Sequence, residues 1–317
     1  MIVGGAGFVG SHLARSFARD GWAVHLADLV VPASLPAGAS FEQVDVRAPI
    51  DAARFPMRPD LVINLAAIHR EPGHADSEYF ETNVGGCEHV LALCERLEAT
   101  DLILTSSISV YGASEAPIED GHARDHTSPY GASKAHAEDL CLKWAAEDPG
   151  RTVSIVRPAA IFGQGEGGNF TRLAGALRRG RFVFPGRRDT IKGCGYVEDL
   201  VRAMRYMHGR ERRLVYNFAF PEEHTLEEIC EVFCRVGSLP SPRGTLPLRP
   251  MRAAGRLGDA IRPLGRATGL SRRRIEKLVT STNVHPDVLL AAGFEWAFDL
   301  EQAFRHWHDA DPAGQFV

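Results

Sequence analysis

Short apolar runs alternate with longer mixed stretches through the first half of the chain. Runs at residues 1–3, 23–28, 41–46, 61–67, 102–107 and 153–161 read as strands bounded by turn residues. Between them, residues 11–19, 78–97 and 129–146 read as helices. Several strand runs, 61–67 above all, are almost continuously apolar instead of alternating, which suits strands covered by helices on both faces. The predicted fold class is therefore α/β, a doubly wound parallel sheet with a smaller C-terminal lobe. After Phe162 the texture changes to segments rich in Gly, Arg and Pro, and a strand-like run at 214–218 returns to the sheet. This gives a first domain over 1–160 with a returning segment near 189–218, and a second lobe built from 161–188 and 219–317.

The turn after the first strand carries chemistry. Gly4-Gly5-Ala6-Gly7-Phe8-Val9-Gly10 satisfies both GxGxxG and GxxGxxG spacing, follows a strand and opens a helix. Glycines there let the backbone approach a pyrophosphate, whose charge faces the exposed N–H groups of the following helix. Asp28 ends the second strand eighteen residues after Gly10. A carboxylate at that place accepts hydrogen bonds from an adenosine ribose and repels a 2′-phosphate, which favours NAD over NADP. The alternative is an aspartate that merely caps a turn. Asp45-Val46 ends the third strand and can meet the adenine edge. The first domain is thus read as a Rossmann domain, with only three residues ahead of its glycines, consistent with a late start site or a trimmed N-terminus.

A second constellation begins the helix at 129–146. Tyr130 and Lys134 lie four residues apart and share a face, with Pro129 suited to the first turn and Thr127 or Ser128 available as cap. A free phenol titrates at about 10, but a nearby ammonium and a positive nicotinamide ring favour the phenolate. Tyr130 can then move a proton to or from a substrate oxygen. Thr105-Ser106-Ser107 supplies hydroxyls at another strand end, and Ser107 is the residue expected to orient that oxygen. Alone, a Tyr and a Lys at this spacing would be an ordinary surface pair. Joined to the glycine turn and Asp28, they point to hydride-transfer chemistry.

With these pieces in place the chain resembles the extended short-chain dehydrogenase/reductases of the nucleotide-sugar epimerase/dehydratase family over nearly its whole length. The matching residues also include Leu65-Ala66-Ala67, Asn83-Val84, Val110-Tyr111-Gly112, Arg157-Pro158 and Tyr196-Val197-Glu198-Asp199-Leu200. The resemblance implies a bound NAD, a catalytic set of Ser107, Tyr130 and Lys134, and a C-terminal lobe that binds a diphosphate-linked sugar. It places Gly4, Gly7, Phe8, Val9, Gly10, Asp28, Asp45, Val46, Leu65, Ala66, Ala67, Asn83, Tyr130, Lys134 and Pro158 along the cofactor. His69, Ser107, Ser109, Asn169 and Lys192 are placed toward the substrate, with Asn169 and Lys192 near its diphosphate, although both also suit ordinary surface or turn positions.

Dehydratases of this family follow the active-site hydroxyl with an Asp-Glu pair, whereas Ile108-Ser109 stands here. Most of its epimerases carry an asparagine where this chain has Ala160. The remaining pattern is similar to bacterial surface-polysaccharide enzymes, including 4-epimerases of N-acetylglucosamine on undecaprenyl diphosphate. The expected reaction is reversible C4 inversion through a transient 4-keto sugar. A 4-ketoreductase that consumes reduced cofactor is the rival, and a non-catalytic NAD-sensing regulator is a third reading.

Composition narrows the setting. The six cysteines, Cys87, Cys94, Cys141, Cys194, Cys230 and Cys234, have no zinc or redox spacing, so free thiols and no metal are expected. No apolar stretch spans a membrane and no signal peptide precedes the glycines, which points to the cytoplasm. A net charge of −4 argues against nucleic acid as a partner. The charge is unevenly placed. Residues 249–277 carry nine basic and two acidic side chains, +7 against −11 for the rest. A helix at 251–262, ended by Pro263, would put Met251, Ala254, Leu257 and Ile261 on one face and Arg252, Arg256, Asp259 and Arg262 on the other. Such a helix either packs on the lobe or docks peripherally on the anionic inner membrane face. A homodimer is the expected assembly.

Overall fold

The computed structural model describes residues 1–70, 73–261 and 272–317. Seven strands, β1 (Ile2–Val3), β2 (His25–Asp28), β3 (Ser40–Gln43), β4 (Val62–Asn64), β5 (Asp101–Thr105), β6 (Thr152–Pro158) and β7 (Arg213–Phe218), form one sheet in the order β7-β6-β5-β4-β1-β2-β3. Every neighbouring pair is parallel. The strand order reverses between β1 and β4, and in such sheets ligands bind in the crevice beyond the carboxyl ends of the strands at that reversal.

Helices cover both faces, which explains the apolar continuity of the strands. On one face α2 (Gly86–Arg96) and α3 (Pro129–Glu147) bury Val90, Cys94, Ala137, Cys141 and Trp144 against Val62, Leu102 and Val153. On the other, α1 (Phe8–Arg19) and α5 (Val197–Met207) bury Leu13, Phe17, Leu200 and Met204 against Ile63, Ile103 and Tyr216. The lobe has its own aromatic core of Phe162, Phe170, Phe184, Tyr196, Phe233, Phe304 and Trp307. Its helices are α4 (Asn169–Arg178), α6 (Leu226–Gly237) and α10 (Leu300–Ala310), with α7 (Leu248–Ile261) and α8 (Arg272–Val279) beside them in sequence. One late element crosses over: Leu289 of α9 (Asp287–Ala291) and Phe294 join the sheet's own core.

Two local expectations are revised. The predicted strand at 61–67 is hydrogen-bonded as a strand only over Val62–Asn64, because the chain then bends across the glycine turn. The predicted helix at 78–97 is broken into a short α-helical turn at Asp76–Phe80, a π-helical turn at Glu81–Gly85, and α2. Within the π turn the Asn83 amide donates to the Ile68 carbonyl (3.1 Å) and to Ser133 Oγ (2.9 Å), and its oxygen accepts from the Ile68 N–H (2.8 Å). A π turn inserts a residue and re-aims a side chain, a distortion frequent at functional sites. Arg262, Pro263 and Arg266 of the basic segment lie outside the described residues.

Candidate active site

The glycine turn forms a cradle at the switch point. Gly4 has φ +79°, and a Cβ there would stand 2.7 Å from the Ala66 nitrogen; at Gly10 a Cβ would meet the Gly4 carbonyl oxygen at 2.6 Å. A side chain at Gly4 would push the turn off Leu65 and Ala66, which follow β4, and one at Gly10 would push α1 off the turn itself. Gly7 is the N-cap of α1 and makes no side-chain cap, so the first amides of α1 stay oriented toward an anion. Phe8 and Val9 form that first turn. Asp28 faces the same turn: one carboxylate oxygen accepts from the Ala6 N–H (2.9 Å) and the other from Val30 N–H (3.1 Å). Each oxygen keeps a further lone pair, as a ribose diol requires. This geometry fits a dinucleotide. Asp45 forms a bidentate pair with Arg47, and those hydrogen bonds hold its carboxyl below the usual range. Val46 packs against Gly86, and its carbonyl accepts from His89 (2.7 Å).

The three catalytic candidates come from two adjoining elements. Ser107 follows β5 and caps the single turn Ile108–Val110, its hydroxyl accepting from the Ser109 N–H (3.1 Å) and standing 3.2 Å from the Ser109 hydroxyl. Tyr130 and Lys134 open α3, with Ser128 as the cap that accepts from the Gly131 N–H (3.1 Å). Gly131 explains the proximity of the two elements. A Cβ there would run into the Ser109 carbonyl oxygen, so only glycine lets the first turn of α3 lie against the Ser107 turn.

The electrostatics differ from residue to residue. Lys134 is almost fully buried, and desolvation pulls its ammonium down to about 8, partly opposed by Cys87, Glu138 and Cys141. Tyr130 is half-buried with its ring 6.2 Å from that of Tyr79. His69 is exposed on one side and crowded on the other; that partial desolvation, with the positive charges of Arg70 and Lys134, holds its imidazole below the ordinary value. It also feels the Glu166 carboxylate, which is buried and accepts from the Thr171 N–H (2.9 Å) in the first turn of α4. Pro158 is buried at the end of β6, opposite Phe218.

The two residues expected near a diphosphate have protein partners. Asn169 is exposed at the start of α4 and accepts from Arg172 (2.8 Å). The Lys192 ammonium donates to the Lys277 and Thr280 carbonyls, both at 2.6 Å, where the last carbonyls of α8 lack helical partners. Residues that sequence reasoning passed over include Ser133, Ser106, Glu138 and the Arg157 side chain. Glu138 had one available signal: an acid one turn beyond Lys134 on an otherwise apolar face.

The sequence profile of the NAD dependent epimerase/dehydratase family matches residues 1–219. The chain belongs to that family. Among similar proteins, this epimerase/dehydratase is 26% identical over 309 residues to the N-acetyl-alpha-D-glucosaminyl-diphospho-ditrans,octacis-undecaprenol 4-epimerase of Escherichia coli O157:H7, covering 95% of this chain and 92% of that one. It is 27% identical over 310 residues to the UDP-glucose 4-epimerase of Streptomyces lividans, covering 84% and 90%. Its fold matches the Thermus thermophilus UDP-glucose 4-epimerase solved with NAD, with a TM-score of 0.76, 22% identity and coverage of 98% and 99%. The cofactor of the family is NAD, and the glycine cradle, Asp28 and the Tyr130–Lys134 helix of this epimerase/dehydratase fit it. No helix among the described residues is long and apolar enough to cross a membrane.

Proposed function

We propose that the protein inverts C4 of a sugar carried on a diphosphate, as a step in bacterial polysaccharide assembly. The observation that carries this reading is the Gly131–Ser109 contact, which lays the helix opened by Tyr130 and Lys134 against the turn capped by Ser107, with neutral Ile108 and Ser109 in the positions behind Ser107. Ser107 orients the O4 oxygen, and Tyr130 withdraws its proton as the C–H bond at C4 is broken. Lys134 supports the phenolate through its charge and holds the nicotinamide ribose. A bound NAD would supply the hydride acceptor and donor for C4. Neither Ile108 nor Ser109 can shuttle the protons of water loss, so the reading stays with epimerisation.

The carrier is a nucleotide or undecaprenyl diphosphate, and the 4-epimerase relative that acts on the lipid-linked sugar supports the second. The protein then works as a homodimer in the cytoplasm, at the inner membrane face when the sugar is lipid-linked. The test is incubation of purified protein with UDP-sugars and with undecaprenyl-diphosphate-linked N-acetylglucosamine, no cofactor added, with C4 configuration followed by NMR. Approach to one epimer ratio from either side is the expected result. Turnover only with stoichiometric consumption of added NADH would replace this reading with 4-ketoreduction.

A further inference from the structure

Glu138 lies one turn beyond Lys134 on α3 and has no exposed surface. Its carboxylate is nonetheless crowded with donors. One oxygen accepts from Ser106 Oγ (2.5 Å) and Arg157 Nε (2.8 Å), and the other from Arg157 Nη2 (2.6 Å) and, more distantly, Arg124 Nη1 (3.4 Å). Ser106 precedes Ser107, and its N–H donates to the Val156 carbonyl (2.7 Å), joining the ends of β5 and β6. Arg157 precedes Pro158. Its remaining Nη1 donates to Tyr111 Oη (2.7 Å), whose O–H passes on to Asn217 Oδ1 (2.9 Å) in β7.

We propose that Glu138 is a positioning residue for the site: one carboxylate clamps the strand end that bears Ser107, the strand end that bears Pro158 and the helix that bears Tyr130 and Lys134, and from one turn along that helix its negative charge favours the Lys134 ammonium. This rests on the catalytic reading of Tyr130 and Lys134. The groups around Lys134 are two thiols, an imidazole and one carboxylate. From α2 it feels Cys87, from α3 Cys141 and Glu138, and from the loop after β4 the imidazole of His69. The Cys141 thiol is pushed well up by its contact with Cys87 and by burial, so it stays neutral. His69 and Lys134 repel when both are charged. Glu138 is the carboxylate among these groups. Arg157 pairs with that carboxylate, and its guanidinium also lies 4.9 Å from the Tyr111 ring.

The chain contains four lysines, Lys134, Lys143, Lys192 and Lys277, so lysine side-chain carbon-13 NMR follows each one without an assay for any sugar. In NAD-loaded protein, with Lys134 assigned through Lys134→Met, Glu138→Gln should lower the Lys134 midpoint by at least about one pH unit, because a buried opposite charge is removed. Lys192 is the internal control and should not move. Glu138→Gln strands Arg157, so Glu138→Gln/Arg157→Met is made in parallel; it removes both charges and should shift Lys134 in the same direction by a smaller amount. Where turnover is measurable, kcat falls at least about tenfold with the sugar KM within about twofold, and the alkaline limb moves down in pH. A Lys134 midpoint within about 0.3 unit of the parent in whichever variant folds would overturn the proposal. A shifted midpoint in a protein that inverts no sugar upholds the action of Glu138 on Lys134 and counts against the epimerase reading alone.

Discussion

Tyr130 can serve as a base near neutral pH only if its phenolate is favoured by the groups around it, and the buried Lys134 one turn away is placed to do that. Tyr130→Phe should therefore lower turnover by at least about a hundredfold, the lower range for lost acid–base catalysis, while NAD stays bound. Turnover within a few-fold of the parent, measured by NMR on protein of equal NAD content, would remove Tyr130 from the mechanism. Asp28 belongs to the same scale. Its carboxylate sits over the glycine turn through Ala6, where a 2′-phosphate would be repelled, so NAD should bind more tightly than NADP and Asp28→Ala should narrow the gap. Calorimetric titration of cofactor-stripped protein with both dinucleotides decides it, and a parent that prefers NADP contradicts the assignment. These residues were legible in the sequence because each belongs to a local pattern. The pairing of Glu138 with Arg157 was not, because it joins residues nineteen positions apart and only the packing of α3 on β6 creates it.

Elements were read well where burial alone sets them and poorly where a contact overrides local preference. The inner strands of the sheet are visible as apolar runs because both faces are covered. The π turn at Glu81–Gly85 leaves no trace in periodicity, since Asn83 is drawn out of register by Ile68 and Ser133 from other parts of the chain. The close approach of α3 to the Ser107 turn is likewise a glycine whose reason is invisible until its neighbour is known. Gly131→Ala should push the first turn of α3 away from Ser109 and lower kcat at least about tenfold, with NAD still retained by the distant glycine cradle. Parent-like kcat in a folded Gly131→Ala variant would show that the contact is not needed. Arg157→Met should cost about 3 kcal/mol in denaturant unfolding, because it leaves the buried Glu138 carboxylate without its main partner; a loss under about 1 kcal/mol would show the pair to be dispensable.

At the scale of the whole molecule, charge and burial make separate predictions. In the described part of the basic segment, Arg252 pairs with Glu276 through two hydrogen bonds (2.8 and 2.9 Å), so α7 is held to α8. Arg249 and Arg256 are exposed there. Sedimentation with anionic but not neutral vesicles, lost in high salt, is expected if the +7 segment meets a lipid surface; no binding at low salt would favour a soluble UDP-sugar. Alkaline stability follows from burial. Burial pushes the Cys94 thiol up to about 12, and Cys194 and Cys230 higher still, whereas unfolded thiols ionise near 9. Above that pH the unfolded chain binds fewer protons at these sites, so they lower stability as pH rises. Lys134 and Lys192, both held near 8 when folded, act in the opposite direction between about 8 and 10.5. With the thiols outnumbering the ammoniums, Tm should fall above about pH 9, and Cys94→Ala should flatten that slope; a Tm that rises to pH 10.5 would contradict the balance.

The crossing of α9 and Phe294 from the lobe's stretch of chain into the sheet's core bears on how such enzymes can be recombined. A chimera that keeps the sheet of this protein and borrows another member's C-terminal lobe has no single splice point. A cut after Phe162 strands β7, and a cut after Phe218 removes Leu289 and Phe294 from the face they cover. New specificities on this scaffold are therefore reached by replacing loops at the mouth of the crevice, and a cassette exchange succeeds only if residues 287–294 stay with the sheet they pack against.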